Sequence, residues 1–412
     1  MTYEEALLYI HGIPKFRRPL GNAQLERLLH ILGNPQDRLK FIHIAGTNGK
    51  GSCAAMTASV LKAQGYVTGM YTSPFIERFN ERIQINGVQI GDDELAQYTE
   101  RVKTAMEENG AYVSEFAFIT AAAFLYFYEK NCDIIVLEAG MGGRLDATNV
   151  IKTPLVSVLM SIGLDHTQYL GETIEEITLE KCGIIKNGGT VVSYPNDNVR
   201  DIIISECKKH GAELAFADIP APCNDGFLYK GREYALSLKG AYQPYNAAAV
   251  IEIINALRRK GFKVSEDALE YGLSHTEWKA RFEYIGKNVI IDGAHNPDGI
   301  AALKKSLLAL DKRVILVMAM MSDKNYADCI RGISEIAECT VAAEVNTERS
   351  LKAAEIGAVL EKSGAEYKII PDIRSAVSEA VRLAGEDGIV CVCGSLYLAG
   401  EAEKIFSKST CK

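Results

Sequence analysis

One rhythm constrains this chain more than any other feature. Short apolar runs with strand character alternate with longer segments whose apolar residues recur every three or four positions. The runs include KFIHIA (40–45), DIIVLEAG (133–140), LVSVLM (155–160) and TVVSY (190–194), and GSCAAMTASVLKAQG and SEFAFITAAAFLYFYEK are helical segments between the first two. Strands joined through helices lie parallel, with the helices on the faces of the sheet. The expectation is a doubly wound, mostly parallel α/β sheet.

At 412 residues the chain exceeds one ordinary core and suits two domains. The rhythm breaks between Phe216 and Lys239, where FLYKGREYALSLKG reads as a hairpin before the helix QPYNAAAVIEIINALRRKG. After Arg281 it restarts with NVIIDGAHN, a helix from about Pro297, then RVILVMA, TVAAEV and GIVCVCGSLYLAGE. A second, smaller Rossmann-like α/β domain of roughly 120 residues fits this stretch. The boundary falls near 283–288, drawn as domains 1–285 and 286–412.

A net charge of −8 argues against the basic face that broad nucleic-acid binding needs. The opening MTYEEALLYIHGIPKF has no basic segment followed by an apolar one, and no window holds the roughly eighteen apolar residues of a membrane span. A cytoplasmic protein is expected, with neither membrane nor nucleic acid as partner. The ten cysteines lack CxxC spacing or zinc-spaced histidines and read as free buried thiols, with Cys391 and Cys393 on one face of a strand.

Within this frame, HIAGTNGKGS (43–52) is a strand, a glycine-rich turn and the start of an alanine-rich helix. Backbone amides of such a turn and of a helix N-terminus point at anionic oxygens, and Lys50 adds charge, so a phosphate cradle is expected. The usual pattern GxxxxGK[ST] is broken: Ile44 stands at its first glycine and Gly51 follows the lysine, with Ser52 one step late. The metal-binding hydroxyl must come from Ser52 or from elsewhere, which predicts a variant nucleotide enzyme.

Other loops follow expected strands, where ligands of open α/β sheets gather. They are YTSPFIERFNERIQING (71–87), LEAGMGGRLDATN (137–149) and SIGLDHTQYLG (161–171). Glu138 ends an apolar strand, a costly place for a carboxylate without a cation or donors. His166 shares that sheet edge. Asn246 reads alone as a helix-capping amide, Arg281 as an exposed arginine and Lys181 as a helix-surface lysine. Asp292 and His295 in IIDGAHNPDG look like a site loop after a buried strand.

Taken together these loops resemble the folylpolyglutamate synthase and dihydrofolate synthase family, within the Mur-type ATP-dependent amide-bond ligases. LGNPQ, HIAGTNGKGS, YTSPF, ERIQING, EAGMGGRLDATN, DHTQYLG, EKCGIIK, DGAHNPDG and CGSLYLAGE occur in the expected order from about Leu28 to Leu398. The resemblance implies that Thr47, Asn48, Gly49, Lys50, Gly51 and Ser52 bind the ATP triphosphate. It implies that Ser73 and Glu138 hold one Mg²⁺ and His166 a second, and that Lys181 is a lysine the family carbamylates. Asn246, Arg281 and Asp292 are implied on the nucleotide, gripped between domains that close before chemistry. His295 is implied near the reacting phosphate, as a stabiliser of the transition state.

The implied reaction converts the terminal carboxylate of a folate to an acyl phosphate, which the amine of L-glutamate attacks. Dihydropteroate is a second candidate acceptor, and a monomer is expected. The chain departs from the family pattern at Lys279-Ala280, where Pro-Gly is common, at Tyr242, where histidine is usual, and at Ala117, where glutamate is common. FRRPLGNAQLERL (16–28) matches only loosely. Two other readings stay open: a Mur-type ligase acting on a non-folate carboxylate, and an ATP-binding regulatory module.

Overall fold

The structure is a computed structural model that describes residues 1–15, 21–223 and 226–407. The chain falls into two compact units. The first comprises Met1–Gly163, Thr167–Ser237 and Pro244–Thr276; the second comprises Leu164–His166, Leu238–Gln243 and the chain from Glu277 onward.

The first unit is built on eight strands: β1 (Phe41–Ala45), β2 (Thr68–Tyr71), β3 (Ile83–Ile85), β4 (Val88–Gln89), β5 (Ile134–Glu138), β6 (Val156–Leu159), β7 (Thr190–Ser193) and β8 (Glu213–Phe216). Their order is β4-β3-β2-β5-β1-β6-β7-β8. The pairings from β2 to β8 are parallel, and β3 and β4 add an antiparallel edge. All five residues of β1 and of β5 are buried, as strands covered on both faces require. The connections run to one side of β1 through β2 and β5 and to the other through β6, so β1 lies at the point where the winding reverses. Parallel pairing of Ile44 with Glu138 and with Val158 sets the ends of β1, β5 and β6 on one edge, with the end of β2 beside them.

The helices follow the expected segments. Glu115–Glu129 is capped by Ser114, whose hydroxyl accepts from the N–H of Ala117. It is apolar nearly all round and lies inside the core cluster of this unit, beside Leu25, Leu28, Tyr98 and Val102. Lys50–Ala63 follows β1 directly. The expected hairpin is a small three-stranded antiparallel sheet of β9 (Ala221–Cys223), β10 (Gly226–Tyr229) and β11 (Arg232–Ala235). Phe216, read as its start, instead ends the parallel strand β8.

The second unit has β12 (Glu283–Ile285), β13 (Val289–Ile291), β14 (Val314–Met318), β15 (Cys339–Ala342), β16 (Tyr367–Ile369) and β17 (Ile389–Cys393), in the order β12-β13-β17-β14-β15-β16. All pairs are parallel except β12 with β13. That hairpin, with Glu283 opposite Ile291, places β12 in the second sheet, so the chain enters the second unit ahead of the 285/286 boundary read from the sequence.

Cys391 and Cys393 share the core-facing side of β17, beside Cys329. The nine cysteines among the described residues are free thiols, but Cys223 and Cys339 are half-buried instead of buried. Cys411 lies outside the described residues. No helix among the described residues is long and apolar enough to cross a membrane.

The helix that follows β1 is held by a close approach. A Cβ on Gly272, in the helix Glu266–Ser274, would stand 2.5 Å from the Cα of Val60, and the Gly272 carbonyl accepts from the hydroxyl of Ser59 at 2.9 Å. Alanine normally stabilises a helix interior by about 1 kcal/mol over glycine. Here it would press on backbone, so Gly272→Ala should instead cost about 1–3 kcal/mol. A lower denaturant midpoint at unchanged m-value would show it.

Candidate active site

The turn after β1 is dictated by two glycines. A Cβ on Gly46 would lie 2.7 Å from Cβ of Met160 and 3.2 Å from its backbone, so the turn can lie flat on the chain leaving β6 only without a side chain. Gly49 has φ +83°, and a Cβ there would meet Oδ1 of Asn246 at 2.5 Å. The helix starts at the next residue, Lys50, and the N–H groups of its first turn have no acceptor within the helix.

The loop divides into two parts by use. The N–H groups of Thr47 and Asn48 both donate to the Ser161 carbonyl, at 2.7 and 3.2 Å. The Thr47 hydroxyl donates to the Gly163 carbonyl at 2.9 Å. Thr47 and Asn48 therefore stitch the loop to the end of β6, and the stretch from Gly49 to the buried Ser52 holds the amides suited to an anion.

Two lysines meet at this turn. Nζ of Lys50 donates to the carbonyls of Gly46, at 3.0 Å, and Thr47, at 3.2 Å. Nζ of Lys181 donates to the same Gly46 carbonyl at 3.0 Å. Read alone from sequence, Lys181 would be a helix-surface residue; it is 3% exposed. Its helix, Ile174–Cys182, has a Thr173–Glu176 capping box and delivers the side chain inward from its last turn. Two ammonium groups on one oxygen make an electropositive spot at the head of a helix.

Glu138 ends β5 and is 4% exposed. Its Oε2 accepts from the N–H of Ser73 at 3.0 Å, so the expected pair of Ser73 and Glu138 is in contact. Asn246 is not the capping residue its sequence position suggested: the helix Gln243–Arg259 begins three residues earlier, and the Asn246 amide packs buried against Gly49.

The second unit gathers the remaining residues, including one the sequence reading missed. Lys324, in the loop after β14, donates from Nζ to Oδ1 of Asp165 at 2.6 Å and stands 3.5 Å from Nε2 of His166. Oδ2 of Asp165 accepts from Nδ2 of Asn296 at 3.0 Å and lies 3.8 Å from Nε2 of His295. Despite burial, the charge of Lys324 and the hydrogen bond it donates hold the Asp165 carboxyl well below the usual carboxylate range. His166 has φ +52°, an uncommon backbone region that His tolerates better than most residues. The signal for Lys324 was present in MSDKNYAD, an acid and a lysine directly after an apolar strand.

His295 donates from Nδ1 to the Gly293 carbonyl at 2.7 Å, which fixes the neutral tautomer with a lone pair on Nε2. Burial, reinforced by Lys324, pushes its pKa down to about 4. Asp292 is 3% exposed, and its carboxylate accepts from Phe282 N–H at 2.9 Å, Ala294 N–H at 2.8 Å and the Tyr242 hydroxyl at 2.7 Å. Burial raises its pKa, opposed by the Tyr242 bond and the charge of Arg281. Arg281 is half-buried, with a guanidinium nitrogen 2.8 Å from the Ala280 carbonyl.

Of the departures, Ala117 is a buried residue in the first turn of its helix, where it offers no carboxylate. The loosely matching stretch 16–28 begins in 16–20, outside the described residues, and Ala23–Ile31 is a helix. Among the described residues there is no cluster of three or more His, Cys, Asp or Glu side chains arranged to hold a metal ion.

A P-loop-like turn at the winding point of one parallel sheet, followed by a second α/β unit, defines the Mur-type ligase class. Residues 44–254 match the Mur ligase middle domain, and residues 280–396 match the Mur ligase glutamate ligase domain. The chain is 34% identical to the dihydrofolate synthase/folylpolyglutamate synthase of Bacillus subtilis, over 98% of this chain and 99% of that one. It is 38% identical to the folylpolyglutamate synthase of Lacticaseibacillus casei, over 79% and 82%. A solved Escherichia coli structure, FolC in complex with DHPP and ADP, superposes with a TM-score of 0.90 at 27% identity, covering 100% of this chain and 99% of that one. The chain belongs to the folylpolyglutamate synthase and dihydrofolate synthase family.

Two imidazoles, His43 buried and His295 half-buried, set a pH dependence. Besides His295, His43 on β1 is fully buried with Nε2 2.8 Å from the Thr148 hydroxyl, and burial pushes its pKa down to about 3. An unfolded histidine titrates near about 6.5, so below that pH the unfolded chain takes up protons that the folded one refuses. Folding stability should be flat above pH 6.5 and fall as pH drops toward 4. Denaturant midpoints between pH 7.5 and 5 measure this, and His43→Gln should show a shallower slope whatever its absolute stability.

Proposed function

We propose that this chain is an ATP-dependent ligase that adds L-glutamate to the carboxylate of a folate through an acyl phosphate, with dihydropteroate as a second acceptor. The observation that carries the reading is the turn Gly46–Lys50, where Lys50 and Lys181 share one carbonyl beside a left-handed Gly49. A triphosphate suits that concentration of positive charge and N–H donors.

In this reading the amides from Gly49 to Ser52 and the Lys50 ammonium bind the outer phosphates. The acceptor carboxylate attacks the γ-phosphorus, the bond to the β-phosphate oxygen breaks and ADP departs. The α-amine of glutamate then attacks the acyl carbon and loses a proton as inorganic phosphate leaves. Asn246 keeps the loop shaped from behind Gly49. On the second unit, Arg281 and Asp292 are assigned to the nucleotide.

His295 is assigned a different role from the one its family position implied. Its Nδ1–H is spent on the Gly293 carbonyl, so Nε2 offers a lone pair and cannot donate to a phosphoryl oxygen. It suits a donor, such as an ammonium or amine hydrogen. The cation of this loop cluster is Lys324.

The residues fit a divalent ion at one place. Ser73 and Glu138 set a hydroxyl and a buried carboxylate at neighbouring strand ends, and Mg²⁺ takes one or two such oxygens together with phosphate and water. When bound, it supplies charge neutralisation of the phosphates. His166 fits a second ion less well, because the Lys324 ammonium stands 3.5 Å from its Nε2 and would have to move. Carbamylation of Lys181 suits its surroundings: CO₂ added at Nζ would turn one of two ammonium groups on the Gly46 carbonyl into an anion beside Lys50.

Phosphate release with ATP, Mg²⁺ and glutamate, supplying in turn dihydropteroate, tetrahydrofolate and a folate diglutamate, tests the reading. Release that depends on at least one acceptor is expected, and none with any of them sinks it in favour of a non-folate carboxylate. Lys50→Ala should lower turnover by on the order of 10²-fold or more while the fold is kept.

A further inference from the structure

The turn that carries Arg281 is strained, and its restraints identify a residue with work to do. Ala280 has φ +54° and Phe282 φ +52°, both in the left-handed region, where a side chain costs roughly 1–2 kcal/mol. Neither is a glycine, and such backbone persists only where neighbours over-determine it. The restraints on Ala280 are complete: its N–H donates to Oε2 of Glu283 at 2.7 Å and its carbonyl accepts from Gly293 N–H at 2.9 Å. Phe282 is held differently. Its N–H donates to Oδ2 of Asp292, and that same oxygen takes the Tyr242 hydroxyl.

Tyr242 thus fixes which Asp292 oxygen faces the turn. With the phenol and Phe282 both on Oδ2, Oδ1 faces away with the Ala294 N–H. Burial raises the phenol pKa far above its ordinary value, so the hydroxyl stays a donor at any working pH. Space around this arrangement is tight. A Cβ on Gly293 would stand 2.6 Å from a guanidinium nitrogen of Arg281 and 2.3 Å from Leu396, so Arg281 lies flat against the chain that leaves Asp292. A carboxylate rotated about its own axis would release Phe282 and, with it, the turn that aims Arg281.

We propose that Tyr242 is a positioning residue for nucleotide binding: its hydroxyl locks Asp292 and the turn 280–282, and so sets Arg281 and Asp292 for their ligand. This rests on the nucleotide reading of Arg281 and Asp292 given above. It gives the departure at Tyr242 a purpose, since a phenol reaches further than an imidazole and donates in one protonation state only.

The test is ADP binding to the full chain by calorimetry, well below the melting temperature, in a double-mutant cycle of Tyr242→Phe and Asp292→Asn. Tyr242→Phe should weaken ADP binding by about five- to tenfold, somewhat less than the full worth of one hydrogen bond to a charged group. In the Asp292→Asn background the same change should add less than about twofold. A Tyr242→Phe protein that melts lower but binds ADP as the parent does overturns the proposal, as does full additivity in the cycle. If Asp292→Asn does not fold, the single Tyr242→Phe measurement decides. Failure of the unmodified chain to bind ADP would instead overturn the nucleotide reading beneath it.

Discussion

The contact on which the first unit depends is between two backbones. Gly46 lies against Met160 with no room for a methyl group between them. That approach lets the turn after β1 take the Ser161 carbonyl as acceptor for two successive amides and start a helix at Lys50. It also leaves the Gly46 carbonyl turned toward two lysines from different helices. The shape of the turn, for which a phosphate-binding role is proposed, therefore owes as much to the strand beside it as to its own glycines. The parallel order of β5, β1 and β6 brings that neighbour into place.

The second unit solves a similar problem with side chains. Asp292 acts as a hub, accepting two amides and a phenol, while Asp165 gathers Lys324 and Asn296 and lies near His295. Asp292 is buried and Asp165 half-buried, and each is surrounded by donors that offset the cost of desolvation. Where the chain carries Lys279-Ala280, the left-handed turn is supported by Glu283 and Asp292 instead of by residue types that favour it.

Much of this was legible in the sequence because periodicity and turn chemistry are local. The runs read as β1, β5, β6 and β7, and the helices beginning near Lys50, Glu115 and Pro297, lie where the pattern placed them. Ser73 and Glu138, expected as a pair, are in contact. What single residues did not reveal on their own has one cause. Lys181 looked like a surface lysine, Asn246 like a cap and Lys324 like nothing in particular, because the partner that gives each its role lies far away in sequence. Phe216 and β12 were assigned to the wrong neighbours for the same reason: a short strand shows its type but not the sheet it joins.

The sequence by itself determined the element types, the parallel winding and the set of loops that carry polar chemistry, since each follows from spacing along the chain and from the conformations glycine and proline allow. Only the tertiary structure decided that the amides of Thr47 and Asn48 both donate to the Ser161 carbonyl, which nitrogen of His295 keeps its lone pair, and that Tyr242 reaches Asp292. Those outcomes depend on desolvation and on hydrogen bonds closed between distant segments. Their strength is set by what packs opposite, and no local pattern encodes it.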